Sequence, residues 1–202
     1  TTIPQALDDL RDLPFEDLGF ARIDHHRELR TGLPEIIFGE KKETAQIAAI
    51  LKRMETKEGT VLVSRLSADK AEALLRDFPQ AEYFGEARLL VFKKGASLHR
   101  RGTIAVLAAG TSDIPVAEEA RVTASALGNE VFKVYDVGVA GLHRLLPEIP
   151  RIREAAVVIV VAGMEGALPS VVAGLVGRPV IAVPTSVGYG ASFGGITALL
   201  AM

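Results

Sequence analysis

The sequence contains no cysteine and no tryptophan, and only 3 of its 202 residues are tyrosine. The absence of cysteine excludes disulfides, thiolate metal ligands and a cysteine nucleophile within these residues. A formal net charge of -2 gives no excess of basic side chains to bind a nucleic acid backbone, and an aromatic content of 5% provides few rings on which bases would stack. We therefore expect the ligand to be a small molecule and not a nucleic acid.

Long hydrophobic runs are absent as well. No stretch approaches the roughly 20 apolar residues that cross a bilayer, and the opening residues Thr1–Gln5 lack the charged and apolar regions of a signal peptide. These absences predict a soluble, cytoplasmic protein that makes no contact with a membrane. A hydrophobic content of 49% over 202 residues suits one full α/β domain and a smaller second one.

Residues 1–97 form the first of two regions that differ in pattern. This region is rich in charged residues, and hydrophobic residues recur with helical spacing over Glu43–Met54 and Ala68–Phe78. Short apolar runs of strand type alternate with these segments at Ile36–Phe38, Val61–Val63 and Arg88–Phe92. We predict a small accessory α/β domain over residues 1–97.

Residues 98–202 form the second region, in which longer apolar runs recur. Four runs have the composition of buried parallel strands: Ile104–Ala109, Val131–Val137, Ala156–Ala162 and Val180–Val183. Three helical segments separate them: Ile114–Leu127, Leu142–Arg153, which Pro147 and Pro150 interrupt, and Leu168–Val176. This alternation predicts an α/β fold with a three-layer, doubly wound parallel sheet of flavodoxin or Rossmann type, joined by right-handed crossovers.

The turn after the first of these strands has the features of a phosphate-binding site. Gly110 permits a sharp turn, Thr111 and Ser112 add hydroxyl donors, and Pro115 suits the first turn of the helix that follows. The positive end of a helix attracts an anion. A purely structural turn capped by Ser112 or Asp113 has the same sequence features, so the motif alone leaves both interpretations open.

The residues that follow the four strands are expected to share one edge of the sheet, because doubly wound sheets bind ligands beyond the carboxyl ends of their strands. Each of these segments contains glycine, which permits positive φ and close approach of a ligand to backbone amides. The segments are 110–113, 136–144, 163–168 and 184–190. If the glycines served only to form the turns, one glycine in each turn would be enough. We therefore predict one ligand pocket that all four segments share.

Several motifs in these segments resemble the PurE-like superfamily of aminoimidazole ribonucleotide carboxylases. They are Gly110-Thr111-Ser112-Asp113, His143-Arg144, residues 162–169 and Val183-Pro184-Thr185-Ser186. Within the superfamily, residues 24–30, 34–40 and 188–195 resemble the LarB family, the pyridinium-3,5-biscarboxylic acid mononucleotide synthases of nickel-pincer cofactor biosynthesis. The resemblance extends over nearly the whole chain.

The resemblance implies a carboxylase and hydrolase that acts on nicotinic acid adenine dinucleotide in the first step of nickel-pincer cofactor synthesis. The pyridinium ring is carboxylated at C5 with CO2 or bicarbonate as co-substrate, the phosphoanhydride is cleaved to release AMP, and no redox cofactor takes part. A nucleophile that adds at C4 turns the electron-poor ring into a dihydropyridine whose C5 attacks CO2. Family members supply a cysteine for this step from a segment shortly after the position that matches Met202.

This chain contains no cysteine, and residues 195–202 have the pattern of an apolar helix. A helix that ends without a cap or a polar tail leaves its last carbonyls without partners. We therefore expect that the natural chain continues past Met202. The 202 residues are expected to bind nucleotide and to be impaired in turnover.

The resemblance also assigns roles to the residues that match family motifs. The predicted substrate-binding residues are Gly110, Thr111, Ser112, Gly138, Ala140, Gly141, Arg144, Met164, Gly166, Thr185, Ser186 and Tyr189. Asp113 is expected to accept hydrogen bonds from ribose hydroxyls, to recruit Mg²⁺ for cleavage of the anhydride, or simply to cap the helix. Arg144 either binds a carboxylate or phosphate or pairs with a surface acid.

Three residues are predicted to be catalytic: Glu165, His143 and Asp113. Glu165 stands in an apolar, glycine-rich segment, where loss of water would raise its pKa and suit it to remove the proton at C5. The alternative is an exposed turn acid.

His143 matches a position that handles protons in the purine enzymes, and its unperturbed pKa of about 6.5 suits a general acid or base. The alternative is a half-buried histidine bonded to backbone. Met164 and Tyr189 are expected to contact a ring or to pack in the core.

The pair His25-His26 is not interpreted as a metal site. Adjacent residues on a strand point to opposite faces, and no third ligand lies near in sequence. With Arg27 and Arg30, the segment either reaches an anionic substrate or forms a solvated basic turn.

Two alternatives to a pyridinium carboxylase stay open. One is an aminoimidazole ribonucleotide carboxylase or mutase of purine biosynthesis, and the other is a non-catalytic nucleotide-binding module. PurE-like proteins resemble one another in packing as tetramers or octamers, and an apolar segment such as Val171–Val176 gains from a partner surface. We therefore expect a homo-oligomer.

Overall fold

The structure is a computed structural model that describes residues 2–3, 15–55, 59–94, 102–188 and 192–202. The chain forms two compact units, one of Thr1–Tyr83 with Arg88–Ala96 and the other of Phe84–Ala87 with Ser97–Met202. Each unit has its own sheet and its own hydrophobic core. The predicted domain boundary between residues 97 and 98 lies outside the described residues.

The first unit is built on a four-stranded mixed sheet. A short antiparallel ribbon, β1 (Glu16–Asp17) and β2 (Arg22–Ile23), precedes it together with helix α1 (Arg27–Thr31). The strands of the sheet are β3 (Ile36–Phe38), β4 (Gly59–Ser64), β5 (Glu82–Phe84) and β6 (Leu89–Lys94). Their order is β3-β4-β6-β5, with β3 parallel to β4 and β6 antiparallel to it.

Two amphipathic helices, α2 (Thr44–Met54) and α3 (Ala68–Asp77), complete the first unit. Helix α2 buries Ile47, Ile50 and Leu51, a spacing that places all three side chains on one face. They join the same core cluster as residues of β3, β4 and β6. The predicted helices of this region are therefore confirmed to within a residue or so at each end.

The second unit is a four-stranded parallel sheet with helices on both faces. Its strands are β7 (Thr103–Ala108), β8 (Glu130–Val134), β9 (Val157–Ala162) and β10 (Val180–Pro184), in the order β10-β9-β7-β8. Its helices are α4 (Ile114–Ala126), α5 (Leu142–Leu145), α6 (Ile149–Ile152), α7 (Ala167–Leu175) and α8 (Ile196–Ala201).

Alternate side chains of the central strands enter opposite layers of the second unit. Ala105 and Leu107 of β7 belong to a core cluster that includes residues of α5, α6 and α7. Val106 and Ala108 belong to a second cluster, which includes Ala117 of α4. Strands buried on both faces require continuous apolar runs, as this sequence has. The predicted three-layer, doubly wound α/β fold is confirmed.

The strand order positions the functional site. The chain passes from β7 to β8 on one side and then places β9 and β10 on the other side of β7. The connections after β7 and β9 therefore diverge, and a crevice opens at the carboxyl ends of these two strands. Ligands of doubly wound sheets bind at such a reversal of strand order.

The segment predicted as one helix over Leu142–Arg153 differs in the structure. It consists of the single-turn helices α5 and α6, with a 3-10 turn at Leu146–Glu148 between them. Pro147 and Pro150 each stand near the start of a new turn, because proline has no N–H to continue a helical hydrogen-bond pattern.

The described helices are short. The longest, α4, has 13 residues. Within the described ranges, no helix has both the length and the apolar character needed to traverse a lipid bilayer.

Candidate functional site

A cavity of about 340 Å³ lies beyond the carboxyl ends of the parallel strands of the second unit. This volume is at the lower end of the range of about 300 to 1,000 Å³ for small-molecule sites. Segments that follow all four strands contribute to its wall. The lining residues are Ala109, Gly110, Thr111, Ser112, Asp113, Asp136, Gly138, Val139, Ala140, Arg144, Ala162, Gly163, Met164, Glu165, Leu168, Val187 and Gly188. The structure therefore brings the four segments together, as the sheet topology predicts.

The segment after β7 is a single 3-10 turn, Thr111–Asp113, that leads directly into α4. The amides of Thr111 and Ser112 open this turn, and the first N–H groups of a helix have no acceptor within it. Both residues are exposed and line the cavity, so their amides and hydroxyls are available to an anion. The amide of Gly110 is not available, because it donates to Asp113 Oδ2 at 3.0 Å.

Asp113 joins two walls of the cavity. Its carboxylate is only 6% exposed, and Oδ1 accepts a hydrogen bond from the hydroxyl of Thr185 at 2.7 Å. Thr185 follows β10 and is itself buried. The bond connects residues that are 72 positions apart in the chain. In this structure Thr185 positions Asp113 and does not line the cavity, although it was predicted to bind substrate.

The predicted Mg²⁺ ligand Asp113 does not belong to a cluster of metal-binding side chains among the described residues. Within the described ranges, no three histidine or acidic side chains lie close enough together to hold a metal ion. Magnesium often binds through one or two carboxylates and substrate phosphates, but the predicted ligand Asp113 is buried and already accepts two hydrogen bonds. Asp113 therefore has little free carboxylate for a directly bound Mg²⁺, and the magnesium site stays a prediction.

Asp136 and Arg144 form an ion pair on the wall that follows β8. Arg144 Nη1 lies 2.6 Å from Asp136 Oδ2, and the two side chains are 40% and 52% exposed. Asp136 has a φ of 58°, in the left-handed region that non-glycine residues rarely occupy. Exposed ion pairs are weak, so an arriving anion competes with Asp136 for the guanidinium of Arg144. Of the two interpretations of Arg144, the structure shows the pair with an acid, and it places that pair at the cavity.

Met164 and Glu165 form the wall that follows β9. Met164 also has a left-handed backbone, with a φ of 52°. Glu165 is exposed at the cavity, and among the described residues it has no hydrogen-bond or ion-pair partner. The expected burial of Glu165 is therefore wrong, since the apolar residues Ala162 and Leu168 are buried and the carboxylate between them is not. The outcome is an accessible carboxylate that is free to accept a proton.

Acidic side chains outnumber basic ones around the cavity. Among the described residues that line it, the charged ones are Asp113, Asp136, Glu165 and Arg144. Asp136 is paired with Arg144 and Asp113 already accepts two hydrogen bonds, so Glu165 is the carboxylate among these that can face a cationic group of a ligand. Anionic parts of a ligand find donors at Arg144 and at the opening turn of α4.

The glycines of these segments permit close contact between neighbouring parts of the chain. A Cβ on Gly163 would lie 2.1 Å from the carbonyl oxygen of Val187 and 2.6 Å from Thr185 Oγ1. A Cβ on Gly138 would lie 2.8 Å from the carbonyl oxygen of Ala109. A side chain at either position would therefore collide with the chain, and both glycines still line the cavity.

Some predicted residues lie away from the cavity wall. His143 on α5 and Ser186 after β10 are both exposed, and neither lines the cavity. Gly141 and Gly166 are buried and also do not line it, since neighbouring protein atoms surround them. The position of His143 therefore does not support a role as general acid or base. Tyr189 lies outside the described residues.

The pair His25-His26 lies in a turn of the first unit and not on a strand, as the argument from sequence assumed. His25 Nε2 is 3.3 Å from Glu16 Oε2, whereas His26 Nδ1 is 3.2 Å from Arg30 Nη1. The two rings have different partners. Each histidine therefore takes part in a polar contact of its own.

A buried carboxylate that the sequence pattern did not indicate lies beside the site. Glu118 of α4 is 4% exposed and accepts hydrogen bonds from Arg121 at 2.7 and 2.9 Å, Lys133 at 3.2 Å and Tyr135 at 2.9 Å. Tyr135 directly precedes Asp136 on the cavity wall. Two features of the sequence could have indicated this network. Arg121 follows Glu118 by three residues, and the polar residues Lys133 and Tyr135 alternate with apolar ones at the end of β8. This network connects α4 to the end of β8.

The network also determines the protonation of its members. Burial by itself would raise the pKa of Glu118, but hydrogen bonds from Arg121, Tyr135 and Lys133 outweigh it, so the pKa lies below its usual range. Burial, together with the bond to Glu118, raises the pKa of the Tyr135 hydroxyl. At neutral pH Glu118 is therefore ionised and Tyr135 remains a hydrogen-bond donor.

We expect Glu118→Gln to destabilise the protein by about 2 kcal/mol at pH 7, because several donors lose a charged acceptor. A carboxyl whose pKa is lowered on folding stabilises the fold above its unfolded pKa and loses that contribution as the pH falls through its folded pKa. Thermal unfolding at pH 7 and pH 3 therefore measures a smaller difference from wild type at the acid pH. The control is Glu119→Gln on the same helix. An equal loss of Tm at both pH values would contradict the assignment.

Comparisons with known proteins agree with this architecture. Residues 15–94 match the family described as LarB/PurE-like N-terminal domain, and residues 103–202 match the AIR carboxylase family. The chain is 42% identical over 189 residues to an uncharacterized protein of Methanocaldococcus jannaschii, which covers 90% of this chain and 73% of the relative. It is also 38% identical over 100 residues to the N5-carboxyaminoimidazole ribonucleotide mutase of the same organism, over 48% of this chain and 59% of the mutase. The chain therefore belongs to the LarB family of the PurE-like carboxylase superfamily.

Proposed function

We propose that this protein carboxylates the pyridinium ring of nicotinic acid adenine dinucleotide at C5 and hydrolyses its phosphoanhydride. The products are pyridinium-3,5-biscarboxylic acid mononucleotide and AMP. The observation that carries the proposal is the lining of the cavity, in which the accessible carboxylate of Glu165 lies among further acids and beside one guanidinium. A substrate that joins a cationic ring to anionic phosphate matches this mixture of charges.

The residues around the cavity divide into two groups by the part of the substrate that they serve. The amides and hydroxyls of Thr111 and Ser112 donate to the phosphate of the nicotinate half, as opening helix turns do for anions. Arg144 exchanges its partner Asp136 for an oxygen of the anhydride. Glu165, on the wall that follows β9, faces the positive charge of the ring. Binding in this orientation places C5 near Glu165.

The carboxylation balances as a sequence of bond changes. A thiolate adds at C4, and the resulting dihydropyridine forms a bond from C5 to the carbon of CO2. Glu165 accepts the proton that C5 then loses, and departure of the thiolate from C4 restores the aromatic ring. No cysteine occurs among the 202 residues, so the thiolate comes from outside them. These residues bind and orient the substrate and take the proton.

The similarity to the N5-carboxyaminoimidazole ribonucleotide mutase supports a second candidate, carboxylation in purine biosynthesis. That similarity covers 48% of this chain, whereas the LarB/PurE-like N-terminal family accounts for residues 15–94. An aminoimidazole ribonucleotide has a neutral ring, which lacks the positive charge that a pyridinium would present to Glu165.

Mass spectrometry separates these candidates. The protein is incubated with nicotinic acid adenine dinucleotide and bicarbonate, with and without Mg²⁺ and with and without an added small thiol. A mass gain of about 44 units on the pyridine half together with AMP supports the proposal, as addition of CO2 and loss of a proton require. Carboxylation of aminoimidazole ribonucleotide alone supports the second candidate. Binding without any product indicates a nucleotide-binding module.

We expect Glu165→Gln to lower the rate of carboxylation by about 10² to 10⁴ and to weaken binding of the dinucleotide by much less, since the contacts to its phosphates remain. An amide cannot accept the proton from C5, and removal of a general base typically costs that much in rate. Single-turnover rates and equilibrium binding measure the two effects separately. Glu154→Gln, an exposed acid outside the cavity, is the matched control. A Glu165→Gln variant with wild-type turnover would rule out the assigned role.

A further inference from the structure

A second cleft, of about 380 Å³, adjoins the main cavity in the second unit. Its walls come from the end of β8 and from the segment that carries α5 and α6. The lining residues are Lys133, Val134, Tyr135, Asp136, Val137, Arg144, Glu148 and Arg151. Asp136 and Arg144 line both spaces, so their ion pair forms the partition between them.

The cleft differs from the main cavity in the balance of its charges. Three of its described side chains, Lys133, Arg144 and Arg151, are basic, and two are acidic. Lys133 donates to Glu118 at 3.2 Å and Arg144 is paired with Asp136. Arg151 makes no ion pair with any residue in the described ranges. Its guanidinium is therefore the cation in the cleft that is available to an anionic ligand.

The position of Arg151 suits it to bind phosphate. Its guanidinium carbon lies 4.3 Å from the ring centroid of Phe132, within the range of a cation–π contact. An aromatic ring that supports the planar guanidinium reduces the rotamer freedom lost on binding. The N–H groups at its edge donate in pairs to phosphate oxygens.

The main cavity is too limited for a whole dinucleotide. Its volume is near the lower limit for small ligands, and within the described residues Arg144 is its one basic side chain. A dinucleotide has two nucleosides and two phosphates. The second nucleotide therefore requires a neighbouring space with a further cation, and the adjoining cleft has both.

We propose that the cleft is the subsite for the nucleoside monophosphate half of the substrate. Arg151 donates to the phosphate that departs with AMP, and Arg144 lies at the anhydride between the two subsites. This inference rests on the proposed function for the identity of the dinucleotide. It predicts that AMP and nicotinic acid mononucleotide occupy separate spaces and bind at the same time.

Isothermal titration with AMP tests the subsite without any turnover. We expect Arg151→Met to weaken AMP binding by about tenfold to a hundredfold, as loss of a charged hydrogen-bond donor does. Binding of nicotinic acid mononucleotide and of adenosine stays unchanged, since neither uses Arg151. Methionine keeps a long apolar side chain against Phe132, and Arg151→Lys, which keeps the charge, retains part of the affinity. Arg178→Met, an exposed arginine outside both spaces, leaves AMP binding at the wild-type value.

The outcomes separate the subsite from the proposed function. Equal AMP affinity in Arg151→Met and Arg178→Met, or displacement of nicotinic acid mononucleotide by AMP, overturns the subsite. If the wild type forms the carboxylated product and its KM for the dinucleotide is unchanged in Arg151→Met, the function stands without this subsite. If AMP binding depends on Arg151 but no dinucleotide is carboxylated, the subsite stands and the function fails.

Discussion

Gly163→Ala is expected to destabilise the second unit by about 3 kcal/mol and to abolish ligand binding, because the methyl group has no space. A Cβ at this position would lie 2.1 Å from the carbonyl oxygen of Val187 and 2.6 Å from Thr185 Oγ1. One of these atoms belongs to the backbone, so the segment after β10 has to move. That movement separates Thr185 from Asp113 and opens the cavity wall.

Chemical denaturation and nucleotide titration measure these two effects of Gly163→Ala. The matched control is Gly174→Ala on α7, where an added Cβ has no atom within 4 Å. Alanine in an exposed helix is more favourable than glycine by about 0.5 to 1 kcal/mol, so the control should gain stability. The same chemical change thus has opposite signs at the two sites. A Gly163→Ala variant with wild-type stability would show that the two segments are not in contact.

Asp113→Ala is expected to cost about 3 kcal/mol or more of folding stability. It removes the acceptor of the Gly110 amide and of the Thr185 hydroxyl, and a buried donor without an acceptor costs about 1 to 3 kcal/mol. Thr185 is 3% exposed, so water does not replace the lost partner. We also expect weaker nucleotide binding, because the opening turn of α4 loses its connection to the segment after β10.

A double-mutant cycle isolates the contact between Asp113 and Thr185. Thr185→Val keeps the shape of the side chain and removes the hydroxyl, whereas Thr185→Ser keeps the hydroxyl and serves as the control. The effects of Asp113→Ala and Thr185→Val should fall short of additivity by about 1.5 to 3 kcal/mol, the range for a hydrogen bond to a charged group. Fully additive losses would show that the two side chains act independently.

The fold and the location of the cavity follow from patterns that are local in sequence. The apolar runs that became β7 and β9 are uninterrupted by polar residues, and helical segments separate them from the next strands, so a parallel doubly wound sheet was predictable. Once the strands are parallel, the residues that follow them share an edge. Ser112, Arg144, Glu165 and Ser186 were predicted to meet there; the first three line the cavity and Ser186 does not.

The errors concern contacts between residues that are distant in sequence. The exposure of Glu165 depends on which way its turn faces, and the apolar composition of its neighbours did not reveal that. The Asp113–Thr185 bond crosses 72 residues, and the partners of Glu118 come from a different element of the chain. Hydrophobic periodicity describes which face of an element is buried and contains no information on such pairings.

The amino-acid sequence by itself determined the alternation of strands and helices in the second unit, the edge of the sheet at which the loops meet and the family to which the chain belongs. Local hydrophobic spacing and turn residues act within a few positions, and they suffice for these features. Only the tertiary structure decided that Gly163 fits against Val187, that Arg144 forms the partition between two spaces and that Glu165 is open to solvent. Those outcomes depend on close packing between distant segments, where shifts of less than an ångström decide which atoms touch.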